Sequence, residues 1–172
     1  DGISELVVGT LTSAGAVYVL FTTPNGTASA VQKISNSDGG LAAHCTIGWN
    51  DRFGNSVAPL GDMNGDGVVD FAVGARYDAH RGHWYDVGAF YLIFATTSGT
   101  VGDAAKVSML EGGFASFYAL DWGDCFGSSL ALVGDRDGTL ELVVAAPGWS
   151  YGDDGGGDWA GAMYALSFEM MR

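Results

Sequence analysis

The middle of the chain carries short apolar stretches separated by polar, glycine-rich segments, a pattern that predicts β-strands and tight turns. The predicted strands are Gly54–Leu60, Val68–Gly74, Ala89–Phe94 and Ala104–Met109, and an acidic, glycine-rich turn over Asp62–Gly67 joins the first two. The second strand is almost continuously apolar, which is typical of a strand buried on both faces. No segment sustains a 3.6-residue apolar period, so we expect little helix.

The apolar pattern repeats along the chain. Gly15–Leu20 returns as Gly88–Ile93 and again as Gly161–Leu166, at steps of 73 residues (88 − 15 and 161 − 88). Phe53–Ser56 returns as Phe126–Ser129 at the same step. A repeating unit of four short strands is typical of a propeller blade, whose sheet buries both faces only between neighbours. The predicted fold class is therefore all-β, with blades of four antiparallel strands.

Strand counting predicts about two and a half blades. The chain enters at the second strand of a period, because Asp1–Gly9 matches Asp66–Gly74, and it stops after a third strand. The predicted units are a partial blade over 1–50 without its first strand, a complete repeat over 51–123, and a partial blade over 124–172 without its outer strand. Propellers close with about four to eight blades. We therefore expect a fragment of a longer chain or, less favoured, blades completed by other copies.

The acidic turn places oxygen-bearing side chains at alternate positions. Asp62, Asn64, Asp66 and Asp70 occupy positions 1, 3, 5 and 9, and the carbonyl of Val68 is available at position 7. Calcium takes six to eight oxygen ligands, which a tightly curled loop can supply in this spacing. The alternative is an ordinary surface turn rich in Asn, Asp and Gly. Four alternating oxygen donors exceed what a turn needs, so the sequence predicts a Ca²⁺ site.

An EF-hand is the competing calcium motif, and two features argue against it. It requires a glutamate at position 12 of the loop, where this chain has Val73. The residues after the loop also have a strand pattern, whereas an EF-hand continues into a helix.

Two weaker copies of the loop are further metal candidates. The third copy is two residues shorter and loses one oxygen ligand, and the first copy begins outside the sequence. The candidates are Asp135, Asp137, Thr139 and Glu141 in the third copy, and Asp1 and Glu5 in the first.

The combined motifs resemble the FG-GAP repeat of integrin α-subunit propellers, and they are similar to FG-GAP arrays of secreted bacterial and algal proteins. The motifs are Phe53-Gly54, the Asp62–Asp70 loop, Val73-Gly74-Ala75 and Gly88–Tyr91. The resemblance implies an extracellular, calcium-stabilised β-propeller used in adhesion or architecture, with the calcium loop between the first two strands of a blade. The third copy departs from the pattern in its shortened loop and in Ala146-Pro147, which we align with Gly-Ala.

Composition narrows the possible partners. The 172 residues carry 20 acidic and 7 basic side chains, a formal net charge of −13, which disfavours nucleic acid. The chain is 48% hydrophobic, which excludes a disordered polymer, yet no apolar run is long enough to span a membrane. Cys45 and Cys125 either pair or stay free. Asn25-Gly26-Thr27 matches the glycosylation sequon and would be used only on a secretory route.

Aromatic residues that recur at the repeat step are expected to pack between blades. The aromatic residues of the long loops have two possible roles. Tyr18, Tyr91 and Tyr164 recur at the 73-residue step and are expected to pack between blades, as are Trp49 and Trp122. Five aromatic side chains in the long loops 76–87 and 148–160 have no such period. They form a candidate surface for a protein or glycan ligand, or they plug the blade edge. They are Trp84, Tyr85, Trp149, Tyr151 and Trp159.

Nothing in the sequence predicts catalysis, because the HExxH and Walker motifs are missing from it. The segment Gly148–Gly152 fits Gly-x-Ser-x-Gly, but it lies in a glycine-rich loop with no helical pattern after it, whereas a nucleophile elbow leads into a helix. We therefore expect a calcium-binding, extracellular structural or adhesion module and not an enzyme. Its expected partners are a protein or glycan ligand, or further copies or segments of the same assembly. The alternatives are a non-catalytic accessory domain of a secreted hydrolase, and a subunit that polymerises head to tail by blade completion.

Overall fold

The computed structural model describes most of the chain as an all-β protein. The described residues are 4–79, 86–116, 120, 123–136, 139–148 and 161–169. In these residues the helical content is limited to two 3₁₀ turns, Leu41–Ala43 and Phe114–Ser116. The expectation of strands with little helix is confirmed.

The strands form three antiparallel sheets. The first sheet contains β1 (Leu6–Thr10), β2 (Ala16–Thr22) and β3 (Ala28–Ile34) in chain order. The second contains β4 (Val57–Gly61), β5 (Asp70–Ala75), β6 (Ala89–Ala95) and β7 (Val101–Ser108), also in chain order. The third contains β8 (Ser129–Arg136), β9 (Thr139–Ala146) and β10 (Ala162–Glu169), again as a meander.

The predicted blade count agrees with this topology. The second sheet is a complete four-stranded blade. The match of Asp1–Gly9 to Asp66–Gly74 makes β1 equivalent to β5, and the 73-residue step makes β10 equivalent to β6. Among the described residues, the first sheet therefore corresponds to the second to fourth strands of a blade, and the third sheet to the first to third strands. Every residue of β5 is buried, as its apolar pattern predicts. It begins at Asp70, two residues later than predicted, because the acidic loop extends to residue 69.

The middle blade buries side chains on both of its faces. Phe90 belongs to the core cluster shared with the third sheet, whereas Tyr91 belongs to the cluster shared with the first. Successive residues of a strand point to opposite faces, so one strand serves both cores. The ring of Tyr91 meets Phe53 edge-on, with centroids 5.2 Å apart.

The predicted packing role of the recurring tyrosines is confirmed where a neighbouring sheet is present. Tyr164 packs on the core between the second and third sheets and meets Phe126 edge-on at 5.6 Å, repeating the Tyr91–Phe53 contact. Tyr18 lies on the face of the first sheet that points away from the second, and it is half-buried.

Trp49 does not pack as expected, because 81% of its surface is exposed. It lies in a loop that turns back where the Gly48 amide donates to the Asp51 carboxylate, 2.6 Å away, so its position is outside the strand repeat. Trp122, its partner in the repeat, lies outside the described residues.

The sheets meet where a Phe-Gly segment of one blade reaches the backbone of the preceding blade. Phe53 forms a parallel bridge with Gly15, and Phe126 forms the same bridge with Gly88. Both phenylalanine rings are completely buried. The repeated motif thus forms the contact between consecutive blades.

We call these contacts between consecutive blades the seams, and the close approach of the two backbones at each seam requires glycine. A Cβ placed on Gly9 would lie 1.8 Å from the carbonyl oxygen of Gly54, and one placed on Gly74 would lie 2.1 Å from that of Gly127. No side chain fits at such a distance, so both seams depend on the missing Cβ.

The register of the third sheet corrects one sequence alignment. The Gly54 amide donates to the carbonyl of Gly74, and the Gly127 amide donates to that of Ala145. Ala145 is therefore the residue that replaces the seam glycine. The alignment of Ala146-Pro147 with Gly-Ala is wrong by one residue.

A buried polar network lies beside the seam of the first two sheets. Asp78 is 3% exposed, and its carboxylate accepts hydrogen bonds from the Tyr91 hydroxyl at 3.0 Å and from Lys106 Nζ at 2.8 Å. Asp51 is 5% exposed and is held by the Gly48 amide. Burial, and then the charge of Asp78, raise the pKa of Asp51 to about 7.

Gly74→Ala should destabilise the protein by about 3 kcal/mol, the upper range for over-packed cores, because its methyl group meets a backbone carbonyl. Gly134→Ala is the matched control, since a Cβ there meets nothing within 4 Å. We expect it to stay within about 0.5 kcal/mol of the wild type. Urea denaturation measures both, and equal stability of the two variants would contradict the seam contact.

Asp51→Asn should flatten the pH dependence of stability. Because folding raises the pKa of Asp51 from 3.8 to about 7, its contribution is complete below pH 4 and is lost as the pH rises through 7. The asparagine variant stays neutral and should lose less stability than the wild type between pH 5 and pH 8. Urea denaturation across this range tests the prediction, with Glu169→Gln as an exposed control. Parallel profiles for wild type and Asp51→Asn would refute it.

Candidate metal centre

The acidic loop lies between the first two strands of the middle blade, from the end of β4 at Gly61 to the start of β5 at Asp70. Gly65 and Gly67 have φ angles of 79° and 86°. Residues with a Cβ rarely adopt these angles, so the two glycines allow the loop to curl.

Side-chain oxygens of the loop accept hydrogen bonds from its own backbone. Asp62 Oδ1 accepts from the amides of Gly65 at 2.7 Å and Asp66 at 3.0 Å, and its Oδ2 accepts from Gly67 at 2.8 Å. Asp66 Oδ1 accepts from the Val68 amide at 2.8 Å. Three of the predicted ligand residues therefore meet in one curled turn.

Asn64 links two positions of the turn. Its Oδ1 accepts from the Asp66 amide at 3.0 Å, and its Nδ2 donates to Asp66 Oδ2 at 3.1 Å. The side chains of Asp62, Asn64 and Asp66 thus gather on the same short segment, as their alternate spacing predicts.

Asp70 is the buried anchor of the loop. Its side chain is fully buried, with Oδ2 accepting from the Met63 amide at 2.9 Å and Oδ1 from the Ala95 amide at 3.0 Å. Burial raises the pKa of Asp70, these two amides lower it, and the charges of Asp66 and Asp62 raise it again. The loop is thereby tied to the end of β6.

The donor set has the chemistry of a hard-cation site. It consists of three carboxylates and one amide oxygen within nine residues, and the described part of the chain shows no Lys or Arg ion pair to them. In the present arrangement the oxygens face backbone amides, and no three His, Cys, Asp or Glu side chains converge at metal-binding spacing among the described residues. Oxygen donors and uncompensated negative charge fit calcium.

The third copy of the loop has a different geometry. β8 ends at Arg136 and β9 begins at Thr139, and Asp135 is paired with Leu140 in the ladder. Glu141 is half-buried opposite Gly134. The backbone here is an extended ladder, unlike the curled turn of the middle blade, and Asp137 lies outside the described residues.

In the first copy, Glu5 is exposed just before β1, and Asp1 lies outside the described residues. The metal sites in both weaker copies stay predictions.

The other candidate residues are placed as follows. Asn25 is exposed at the β2–β3 turn, where the Thr23 amide donates to the Thr27 carbonyl at 2.8 Å. Cys45 and Cys125 are both free and half-buried, and burial raises the pKa of each thiol. The proposed ligand-surface residues all lie outside the described residues; they are Trp84, Tyr85, Trp149, Tyr151 and Trp159.

Sequence reasoning missed two contributors to this region. Met63 has no role in the sequence-based prediction, yet it is 5% exposed and belongs to the core between the second and third sheets. An apolar residue inside an otherwise polar turn is the signal that indicates such burial. Ala95 supplies an amide to Asp70 from another strand, which no local pattern predicts.

Comparison with known proteins relates part of the chain to a repeat family and to integrin α chains. Residues 53–93 match the FG-GAP repeat family. Integrin alpha-PS5 of Drosophila melanogaster is 40% identical over 99 residues, which cover 56% of this chain and 9% of that protein. Integrin alpha-PS2 of the same organism is 39% identical over 60 residues, 35% of this chain and 4% of that protein.

The chain therefore spans less than a tenth of the length of these curated relatives. No helix in the described ranges is long and apolar enough to cross a membrane. Residues 53–93 thus match an FG-GAP repeat within a sheet of four antiparallel strands, and part of the chain is similar to integrin α chains.

Proposed function

We propose that this chain is a calcium-stabilised, non-catalytic structural or adhesion module of an extracellular or cell-surface protein. The observation that carries the proposal is the acidic loop, whose nine residues carry three carboxylates and one amide oxygen. One of these carboxylates, that of Asp70, anchors the loop in the core. Calcium would be held by the side chains of Asp62, Asn64, Asp66 and Asp70, with the Val68 carbonyl as a fifth donor.

The loop residues explain how binding would stabilise the blade. Bound calcium supplies positive charge, which offsets the repulsion that Asp62 and Asp66 exert on Asp70. Asp70 connects the loop to β6 through the Ala95 amide. Met63 connects it to the seam with the third blade. A firmer loop therefore stiffens both the middle blade and its contact with the next one.

The partner proposal rests on the blade architecture and on similarity to integrin α chains. We propose a protein or glycan ligand, or further segments of the same assembly, with the long loops 76–87 and 148–160 as the contact surface. The exposed position of Asn25 leaves its sequon accessible to glycosylation on a secretory route. The net charge of −13 disfavours nucleic acid as a partner.

Asp66→Ala should lower the melting temperature clearly in millimolar calcium. In EDTA it should cost only about 2 kcal/mol, the value of the two hydrogen bonds that it removes, one from the Val68 amide and one from Asn64 Nδ2. Asp103→Ala is the matched control, because Asp103 is an exposed aspartate outside the loop. Differential scanning calorimetry of the three proteins, with and without calcium, measures the effect. If wild type and Asp66→Ala respond equally to calcium, the loop is not its site.

The native mass of the protein purified from its source tests the proposed assembly. We expect one covalent chain much heavier than 17.8 kDa, whose mass does not change in a chelator. A non-covalent multiple of 17.8 kDa that dissociates in a chelator would instead support polymerisation by blade completion. Mass photometry with and without EDTA, beside a denaturing gel, separates the two outcomes.

A further inference from the structure

One lysine, two aspartates and one tyrosine meet in the core beside the seam of the first two blades. Lys106 Nζ lies 2.8 Å from Asp78 Oδ1, and the Tyr91 hydroxyl donates to Asp78 Oδ2 at 3.0 Å. The carboxyl group of Asp51 also hydrogen-bonds to that of Asp78. An amine, a hydroxyl and a second carboxyl group therefore all contact the carboxyl group of Asp78.

Little water reaches these groups. The side chain of Asp78 is 4% exposed and that of Lys106 is 18% exposed. The ring of Tyr91, whose centroid lies 5.7 Å from Lys106 Nζ, is completely buried and packs on Phe53. An ion pair in such surroundings pays the desolvation cost of both charges, whereas an amide in the same place carries no charge.

The 73-residue repeat provides an exposed counterpart of this pair. Lys33 lies one repeat before Lys106, and its Nζ is 3.0 Å from Asp38, with the two side chains 41% and 43% exposed. Asp38 recurs as Glu111. Lys106 nevertheless lies 3.8 Å from Glu111 and only 2.8 Å from Asp78. Lys106 is thus directed to a buried acid, whereas Lys33 forms an ordinary surface ion pair.

We propose that Lys106 and Asp78 condense into an intramolecular isopeptide bond, with Asp51 as the acid that catalyses the reaction. Proton transfer from Lys106 to Asp78 first gives a neutral amine beside a neutral carboxylic acid. The lone pair of Nζ then attacks Cγ of Asp78, and the C–N bond forms. The Tyr91 hydroxyl faces Oδ2, where it stabilises the negative charge of the tetrahedral intermediate.

Asp51 completes the reaction by moving protons. Burial, and then the charge of Asp78, raise the pKa of Asp51 to about 7, so it holds a proton below neutral pH. It gives that proton to the departing hydroxyl of Asp78, which leaves as water, and takes one back from the new amide nitrogen. One ammonium and one carboxylate thus become one amide and one water, without an oxidant or a cofactor. Contact within the folded chain supplies the high effective concentration that the condensation requires.

The mass of the folded 172-residue chain tests the proposal. We expect it to be about 18 Da, one water, below the mass of the sequence. Trypsin should not cleave after Lys106, and tandem mass spectrometry should find residues 77–81 joined to residues 82–136 through the side chains of Asp78 and Lys106. Lys106→Arg keeps the charge but should have its full mass. Lys33→Arg, the matched control, should still lose the water.

Asp51→Asn should slow bond formation after refolding by at least about 100-fold, the contribution of a lost general acid. Three results would overturn the proposal: the full sequence mass in the folded wild type, a water loss that persists in Lys106→Arg, or equal rates in wild type and Asp51→Asn. The first two results keep the test decisive if Asp51→Asn fails to fold. The condensation needs no calcium, so masses measured in EDTA keep its outcome separate from that of the calcium proposal.

Discussion

The structure depends on how closely the backbones of consecutive blades approach each other. The carbonyl of Gly54 lies against Gly9 and that of Gly127 lies against Gly74, at distances that exclude any side chain. Only this approach brings Phe53 into the core between sheets, since its backbone is bridged to the preceding blade. A blade sheet that is apolar on both faces is stable only when such seams cover it. Glycine in this chain therefore serves two purposes: it allows tight turns, and it allows the backbones of consecutive blades to pack together.

The acidic loop depends on the same seam. Its anchor, Asp70, holds the loop to β6, while Met63 enters the core shared with the third blade. The loop is thus fastened to elements on two sides, and Asp62, Asp66 and Asp70 place negative charge on the connection between them. The electrostatic repulsion among these carboxylates therefore bears on how the first two strands and the next seam are held together, and not on a surface turn alone.

Local patterns predicted the blades well because strands have a fixed two-residue alternation and each strand of the blade occurs two or three times in the chain. The curled turn that gathers Asp62, Asn64 and Asp66 was also predictable, since their spacing along one turn is a local property. The buried pair of Asp51 and Asp78 was not, because it is assembled from two loops and meets Lys106 from a distant strand. Trp49 was placed wrongly because its position repeats in sequence but lies in a loop that turns its ring to solvent.

The outer face of the first sheet and the outer face of the third sheet differ at particular positions, so the two ends of the row of blades are not equivalent. The open face of the first sheet is apolar like the buried face of the middle blade, and it includes Leu6 and Val8, both about half exposed. On the open face of the third sheet, Met163 stands where the middle blade has Phe90, and Ser167 and Glu169 follow on the same side of β10. Ala145 also replaces the seam glycine. A further blade docking there as the third docks on the second would bring a carbonyl against its methyl group, a contact that Gly74 avoids only by having no Cβ. The close backbone contact that joins the three described blades therefore does not fit the outer face of the third blade at Ala145.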